Sequence, residues 1–179
     1  FLITSIIYER YPYYAYRTLK KRGFSNYLPH YRCKVNRLLF RLVNYFRPKS
    51  LIEVGIGNGA SISYMRAACH TMDSVTLKGR DRDKTLQQLA EKLEELQYID
   101  CLHIAHTSFY QEVFEQSLPY IHPDSWFIIG GIYESKEKRE WWKKVVADER
   151  VGITFDLYDI GLVFFDKKRY KQHYIVNFL

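Results

Sequence analysis

The sequence predicts an α/β fold: a mostly parallel sheet with helices on both faces and an antiparallel element at its C-terminal end. Three observations lead to this prediction. Predicted strands and helices alternate between residues 50 and 146, as expected for parallel strands joined by helical crossovers. A glycine-rich loop separates the first strand from the helix that follows it. Three β-rich runs without an intervening helix end the chain, which favours antiparallel pairing there.

Two helices are predicted before the first strand. The first covers residues 13–21, between Pro12 and Gly23. The second is amphipathic, because apolar residues recur every three or four positions, and it ends before Pro48. Its apolar positions are Val35, Leu38, Leu39, Leu42, Val43 and Phe46.

Short apolar runs predict seven strands, with four helices among them. Asp83 and Ser135 are the predicted N-caps of the second and fourth of these helices. Trp141 and Trp142 are adjacent on the last helix and cannot share one face, so one is expected in the core and the other exposed or at a contact. The predicted strands are 50–54, 74–77, 102–105, 126–129, 151–157, 161–165 and 173–178. The predicted helices are 61–70, 83–96, 113–120 and 135–146.

Length and composition exclude several classes of protein. The chain has 179 residues, with 27 Lys+Arg and 20 Asp+Glu, and such a length suits one domain of ~100–200 residues. No apolar run approaches the ~20 residues that a membrane span requires. Cys33, Cys69 and Cys101 form no C-x-x-C pair, which argues against a disulfide framework or a zinc ribbon. A reducing, cytoplasmic setting is the simplest prediction.

The positive charge is concentrated at the N-terminal end. Residues 1–50 hold 11 Lys+Arg, one acid (Glu9) and eight of the 16 tyrosines, so this segment carries +10 and the remainder −3. Such a segment could contact a nucleic-acid backbone, with tyrosine rings available for base stacking. Alternatively, it is a solvated helical face whose long cationic side chains cover apolar surface. An acidic or nucleic-acid partner therefore stays one of two open interpretations.

The glycine loop is the strongest indication of chemistry. Glycines between a strand and a helix let the backbone turn sharply and approach a ligand beside a positive helix N-terminus. Ligands bind at this edge of an open α/β sheet. Gly55, Gly57 and Ala60 also satisfy the G-x-G-x-x-G/A pattern of dinucleotide sites. A plain tight turn is the remaining alternative.

Two features favour S-adenosylmethionine over a dinucleotide. Glu53 lies on the strand two residues before the first glycine, and the strand-rich C-terminus replaces a further βαβ unit. Both features resemble class I S-adenosylmethionine-dependent methyltransferases. Over nearly its whole length the chain also resembles a group of uncharacterised methyltransferases of Bacteroides-type bacteria. The matching segments are 38–46, Pro48, 53–61, 114–116, Leu118-Pro119, Asp124-Ser125, 161–165 and 172–174.

The resemblance implies a methyltransferase-type Rossmann sheet over residues 35–179, behind a basic helical extension at 1–34. It implies S-adenosylmethionine as cofactor, with the acid at Glu53 setting the methionine end and the glycine backbone facing it. Ser61 either contacts the cofactor or caps its helix. No metal site, catalytic base or particular methyl acceptor is predicted. The candidate cofactor-binding residues are Glu53, Gly55, Ile56, Gly57, Asn58, Gly59, Ser61, Lys78, Gly79 and His106.

The chain also departs from the family. Lys78 stands where the family has an acid that grips the ribose, although Asp81 or Asp83 could substitute for it. Gly130-Gly131 replaces a paired acid. Compared with the family, a strand and its preceding helix are missing after Phe109, which predicts a gap in the sheet or omitted residues. A second shortening is placed at 23–27. These departures motivate two alternatives: a methyltransferase-fold binding or regulatory protein without catalysis, and an RNA-binding protein.

Overall fold

The computed structural model describes residues 1–168 and 170–177. Its helices are α1 Tyr14–Arg22, α2 Cys33–Phe46, α3 Ala60–Ala68, α4 Arg82–Leu96, α5 Tyr110–Ser117 and α6 Lys136–Ala147. A π-helical turn at Leu2–Ile7 and a 3₁₀ turn at Leu118–Tyr120 complete the helical elements. The strands are β1 Ser50–Val54, β2 Asp73–Leu77, β3 Ile99–Ile104, β4 Ile121–Gly130, β5 Ile153–Asp156, β6 Ile160–Phe164 and β7 Gln172–Ile175.

The seven strands form one mixed sheet in the order β2-β1-β3-β4-β6-β5-β7. Strand β6 runs antiparallel to β4 and β5, and every other pairing is parallel. The predicted α/β fold with an antiparallel C-terminal strand is therefore confirmed. The last predicted strand does not pair with β6, because β6 is already paired with β4 on one side and β5 on the other. Strand β7 instead pairs with β5 in parallel. Phe178, which the prediction included, lies outside the described residues.

The gap predicted after Phe109 is absent from the described sheet. Strand β3 pairs with β1 through Leu51 and Cys101, and with β4 through Cys101 and Trp126. Helix α4 crosses from the edge strand β2 to β3, and α5 follows β3 at once. The centre of the sheet is closed because residues 99–104 fill the position between β1 and β4.

Two apolar cores lie on the two faces of the sheet, as predicted. One contains buried side chains of α1, α2, α3 and the N-terminal turn, including Ile7, Leu19 and Leu38. The other lies under α4, α5 and α6. The apolar positions predicted for the amphipathic α2 pack into the first core. Within the described ranges, no helix has the length and apolar character needed to cross a bilayer.

The N-caps of α4 and α6 test two predictions. Asp81, and not Asp83, is the N-cap of α4, because its carboxylate accepts a hydrogen bond from the Lys84 amide (2.9 Å). Ser135 caps α6 as predicted.

Trp141 and Trp142 are both buried, so neither is exposed and the alternative of a contact holds. The Trp141 ring packs on Tyr110 and Phe114 of the neighbouring α5, whereas Trp142 lies over Gly161 of β6. The two sides of α6 are therefore both packed, one against helix α5 and the other against the sheet.

We expect Gly161→Ala to lower the free energy of unfolding by about 1–3 kcal/mol, the usual cost of overpacking. A Cβ atom at this position would lie 2.6 Å from the Trp142 ring. Alanine would otherwise stabilise a strand relative to glycine, so the sign of the change is informative. Urea unfolding measures it.

The matched control is Gly161→Ala combined with Trp142→Phe, because phenylalanine lacks the outer six-membered ring that makes the contact. The two changes should be less destabilising together than the sum of their separate effects. Simple additivity, or a stabilising single change, would contradict this packing.

Candidate binding site at the carboxyl edge of the sheet

Three loops meet at the carboxyl edge of the sheet, after β1, β2 and β3. Gly55 has φ +135°, and a Cβ atom on it would lie 2.9 Å from the carbonyl oxygen of His106. The Ile56 amide donates to that same carbonyl (2.8 Å). Gly79 has φ +59°, and a Cβ atom there would lie 3.0 Å from the Cα of Gly55. Gly55 and Gly79 are therefore required for the packing of these loops.

The outer part of the glycine loop is open. Gly57 is exposed, and a Cβ atom on it would have only an ordinary contact, 3.6 Å to the Pro29 carbonyl. Gly59 begins α3 with φ +81°, and a Cβ atom there would meet nothing within 4 Å. Asn58 accepts from the Ala60 amide (3.0 Å) and donates its side-chain amide to the Ser25 carbonyl (3.0 Å). The loop is thus joined directly to the N-terminal extension at Asn58, whose backbone amide also donates to the Pro29 carbonyl (3.2 Å), whereas its Gly59 side is open.

A buried chain of hydrogen bonds starts at Glu53. Ser61 Oγ donates to Glu53 Oε2 (2.7 Å), and His103 Nδ1 lies 2.8 Å from the same oxygen. A carboxylate oxygen accepts, so Nδ1 donates to it, and in that tautomer Nε2 is an acceptor. The Tyr31 hydroxyl lies 2.9 Å from that Nε2. Ser61 therefore orients Glu53 and does not cap α3, for which no side-chain cap is present.

Tyr31 comes from the N-terminal segment and fills the edge of the sheet beside Gly130. A Cβ atom on Gly130 would lie 2.0 Å from the Tyr31 hydroxyl, so this position must be glycine. Burial raises the pKa of Tyr31 well above its usual value, and the carboxylate of Glu53 adds to the shift. The phenol is thus protonated at neutral pH and donates to His103. The ion pair between Arg32 and Asp159 fixes the next residue to the β5–β6 turn.

His106 and Thr107 leave buried polar atoms without a partner among the described residues, His106 Nε2 and Thr107 Oγ1. His106 Nδ1 lies 3.7 Å from Glu134 Oε1. Burial lowers the pKa of His106, although the Glu134 carboxylate opposes this shift. Buried polar atoms normally have hydrogen-bond partners. Two neighbouring unpaired atoms at this edge are therefore consistent with a bound ligand that forms hydrogen bonds with them.

Neither aspartate predicted to replace the family's ribose-binding acid is available for that role. Lys78 follows β2 and is exposed. Asp81 and Asp83, the two candidates for its role, are also exposed, and Asp81 is committed to capping α4 while Asp83 pairs with Arg82. Among the described residues, no three His, Cys, Asp or Glu side chains are grouped to hold a metal ion.

Two large concave regions lie away from this edge. One, of about 1220 Å³, lies at the amino ends of the strands and is lined by residues such as Ser50 and Asp100. The other, of about 580 Å³, lies against the N-terminal segment. Volume alone favours the first, but the glycine loop, the orphan polar atoms and the buried Glu53 all lie at the carboxyl edge, where open α/β sheets bind ligands.

Solved structures share this architecture at low sequence identity. A methyltransferase from Geobacter sulfurreducens is 14% identical and has a TM-score of 0.63, over 89% of this chain and 93% of that one. An O-methyltransferase from Bacillus cereus in complex with SAH is 14% identical with a TM-score of 0.57, over 84% and 88%. An SAH-bound methyltransferase from Podospora anserina is 10% identical with a TM-score of 0.52, over 84% and 86%.

This chain has a methyltransferase-type Rossmann-like fold. No family model matches the sequence, and no curated protein matches it either. At these identities the solved structures show the fold alone.

Within this methyltransferase-type sheet, most of the predicted site residues converge on one edge. Glu53, the glycine loop, Ser61 and His106 lie together, whereas Lys78 lies on the surface after β2. The sequence prediction missed Tyr31 and the role of His103. His103 pairs in register with Glu53 across β1 and β3, so a correct strand pairing would have found it. Tyr31 lies outside any periodic pattern and carries no such signal.

Proposed function

We propose that this protein is an S-adenosylmethionine-dependent methyltransferase that binds its cofactor at the glycine loop. One observation carries the proposal: an acidic side chain, buried at the end of β1, lies directly before an open glycine loop in a methyltransferase-type sheet. Both hydrogen bonds to Glu53 fall on Oε2. Oε1 accepts none from the described residues, so it is available to an ammonium group such as that of a methionine moiety.

The residues of this edge suit the cofactor in chemical type. The backbone of Gly57, Asn58 and Gly59 would face it, Glu53 would accept from its ammonium, and His106 and Thr107 would pair with polar atoms of its adenosine. When bound, the cofactor supplies an electrophilic methyl group. The chain supplies orientation and shields the site from water, and Tyr31 closes the edge beside Gly130. Lys78 and Gly79 border the site from the end of β2.

The comparisons support the choice of cofactor. Proteins of this fold from Bacillus cereus and Podospora anserina are described as bound to SAH. The closer relationship to methyltransferases of Bacteroides-type bacteria is part of this proposal, as are a cytoplasmic location and the division into an extension at 1–34 and a domain at 35–179. The methyl acceptor is not specified by the site.

A second candidate function is binding without catalysis. Tyr31 occupies the space beside Gly130, where the family resemblance implies an acid, and Lys78 replaces a second acid. A protein with these changes could bind the cofactor and use it as a signal. Retained binding without methyl transfer from labelled S-adenosylmethionine to small-molecule, protein or RNA fractions would favour this candidate.

Isothermal titration tests the proposal. We expect S-adenosylmethionine and S-adenosylhomocysteine to bind with a stoichiometry of one, and NAD to give no heat under the same conditions. NAD is the appropriate control because Gly55, Gly57 and Ala60 also match a dinucleotide pattern. No heat with S-adenosylmethionine at millimolar concentration would overturn the proposed function, and binding of NAD alone would replace it.

A further inference from the structure

A basic groove of about 580 Å³ lies between the N-terminal residues and the outer side of α2. We call it the N-terminal groove. Its lining contains one acid, Glu9, whose carboxylate already accepts a hydrogen bond from the Tyr13 hydroxyl (2.9 Å). Its cationic lining residues are Arg10, Arg17, Lys20, Lys34, Arg37 and Arg41.

Three of these cations have no partner of their own. Arg41 is buried and donates to the carbonyls of Ile6 (2.7 Å) and Ile7 (2.9 Å), so it serves the fold. By contrast, Arg10, Arg17 and Lys20 are exposed and make no hydrogen bond or ion pair with the described residues. An excess of positive charge along a concave surface raises the local concentration of anions.

Aromatic rings border the same groove. Tyr11 and Tyr13 are in edge contact (4.7 Å between centroids), and Tyr13 packs in turn on Tyr16 and Phe40. Tyr11 is 62% exposed. Its ring is therefore supported by Tyr13 on one side and available to a ligand on the other.

We propose that the N-terminal groove binds nucleotide phosphates, as a free nucleotide or as one unit of a single strand. Unpaired arginines and a lysine suit phosphate oxygens, and an exposed, supported tyrosine suits a base. The volume lies within the range of ~300–1,000 Å³ typical of ligand pockets. A carboxylate-rich peptide would use the charges but would leave the ring unused, so the pairing of both features favours a nucleotide. The groove shares no residue with the glycine loop, so this proposal stands apart from the proposed cofactor site.

Fluorescence anisotropy with a labelled uridine octanucleotide tests the proposal, with UMP and polyglutamate as competitors. We expect binding that weakens by about 50-fold between 50 and 200 mM salt, as for roughly four phosphate contacts with a single strand. If UMP displaces the labelled strand at a concentration comparable to the nucleotide concentration of unlabelled octanucleotide that does so, the groove is a mononucleotide site. Displacement by excess unlabelled octanucleotide but not by UMP indicates a strand site. Equal displacement by polyglutamate would overturn the proposal, as would failure of the octanucleotide to bind at 50 mM salt.

Substitutions locate the binding. The triple change Arg10→Gln, Arg17→Gln and Lys20→Gln should lower affinity at 50 mM salt at least tenfold and reduce the salt slope by about two. The matched control changes Lys136, Lys144 and Lys167 to glutamine, since these are exposed cations elsewhere on the chain with no ion pair among the described residues. An equal loss in both triple variants would show that net charge alone acts, which contradicts the proposal.

The aromatic part has a test of its own. Tyr11→Leu should weaken binding by about fivefold or more, because base stacking is lost, whereas Tyr11→Phe should bind as the unchanged protein does. Equal affinity of the leucine and phenylalanine variants would remove the nucleotide assignment. The affinity for S-adenosylmethionine should be unchanged in all these variants. Failure of the nucleotide proposal can therefore be distinguished from failure of the proposed function.

Discussion

Replacing Gly57 by leucine should lower the affinity for S-adenosylmethionine by at least a hundredfold while the protein remains folded. Gly57 is exposed, and its Cβ position has only a 3.6 Å contact with the Pro29 carbonyl. The leucine side chain therefore does not disturb the core, but its outer atoms cover the surface of the loop against which the cofactor is proposed to lie. Isothermal titration measures the affinity, and thermal unfolding verifies the fold.

Gly57→Ala is the matched control, because it adds only the Cβ atom whose contact is ordinary. We expect its affinity to stay within about fivefold of the unchanged protein. If the leucine variant binds as tightly as the alanine variant, the cofactor does not use this side of the loop and the placement of the site is wrong.

Replacing His103 by leucine should lower the free energy of unfolding by about 1–3 kcal/mol, the usual cost of leaving a buried polar group without its hydrogen-bond partner. His103 is fully buried and links the carboxylate of Glu53 to the hydroxyl of Tyr31. Without the imidazole, Glu53 keeps only the hydrogen bond from Ser61, and the Tyr31 hydroxyl loses its acceptor. Urea unfolding at pH 7 measures the loss.

Two variants separate the parts of this hydrogen-bond chain. Tyr31→Phe removes only the outer bond and should cost about 1 kcal/mol. The double change of Glu53 and His103 to leucine removes the stranded carboxylate as well, so it should be less destabilising than the sum of the single changes. If His103→Leu lowers the free energy of unfolding by less than about 1 kcal/mol, Glu53 is not held as a buried carboxylate. Its proposed role of accepting from an ammonium group would then be contradicted.

Local patterns were sufficient for much of the fold. The apolar spacing of residues 35–46 predicted α2, and the serine before the last helix predicted its cap, because helix periodicity and capping depend on neighbours a few residues apart. The alternation of strands and helices predicted the parallel sheet. The glycine loop after Glu53 was correctly placed at the carboxyl edge of the sheet, since that edge follows from chain direction alone, and ligand binding there stays a prediction.

The same local patterns failed where the choice lay between distant partners. Asp81 and Asp83 are both good caps by residue type, and only the path of the chain from β2 decides between them. Trp141 and Trp142 are both buried because α6 has α5 on one side and the sheet on the other, and sequence spacing reveals only the angle between the side chains. The sheet has no central gap because β3 takes a position that the family resemblance assigned to a missing strand.

The sequence by itself determined that this chain forms a mostly parallel sheet with an acid and a glycine loop at its carboxyl edge, because each of these features depends on residues that are close together in the sequence. Only the tertiary structure decided that β7 adds to the free edge of β5, and that Tyr31 lies against Gly130 and donates to His103. Those contacts join residues 19 to 99 positions apart. Their energy depends on which edges and cavities remain open once the sheet has formed, and no local pattern contains that information.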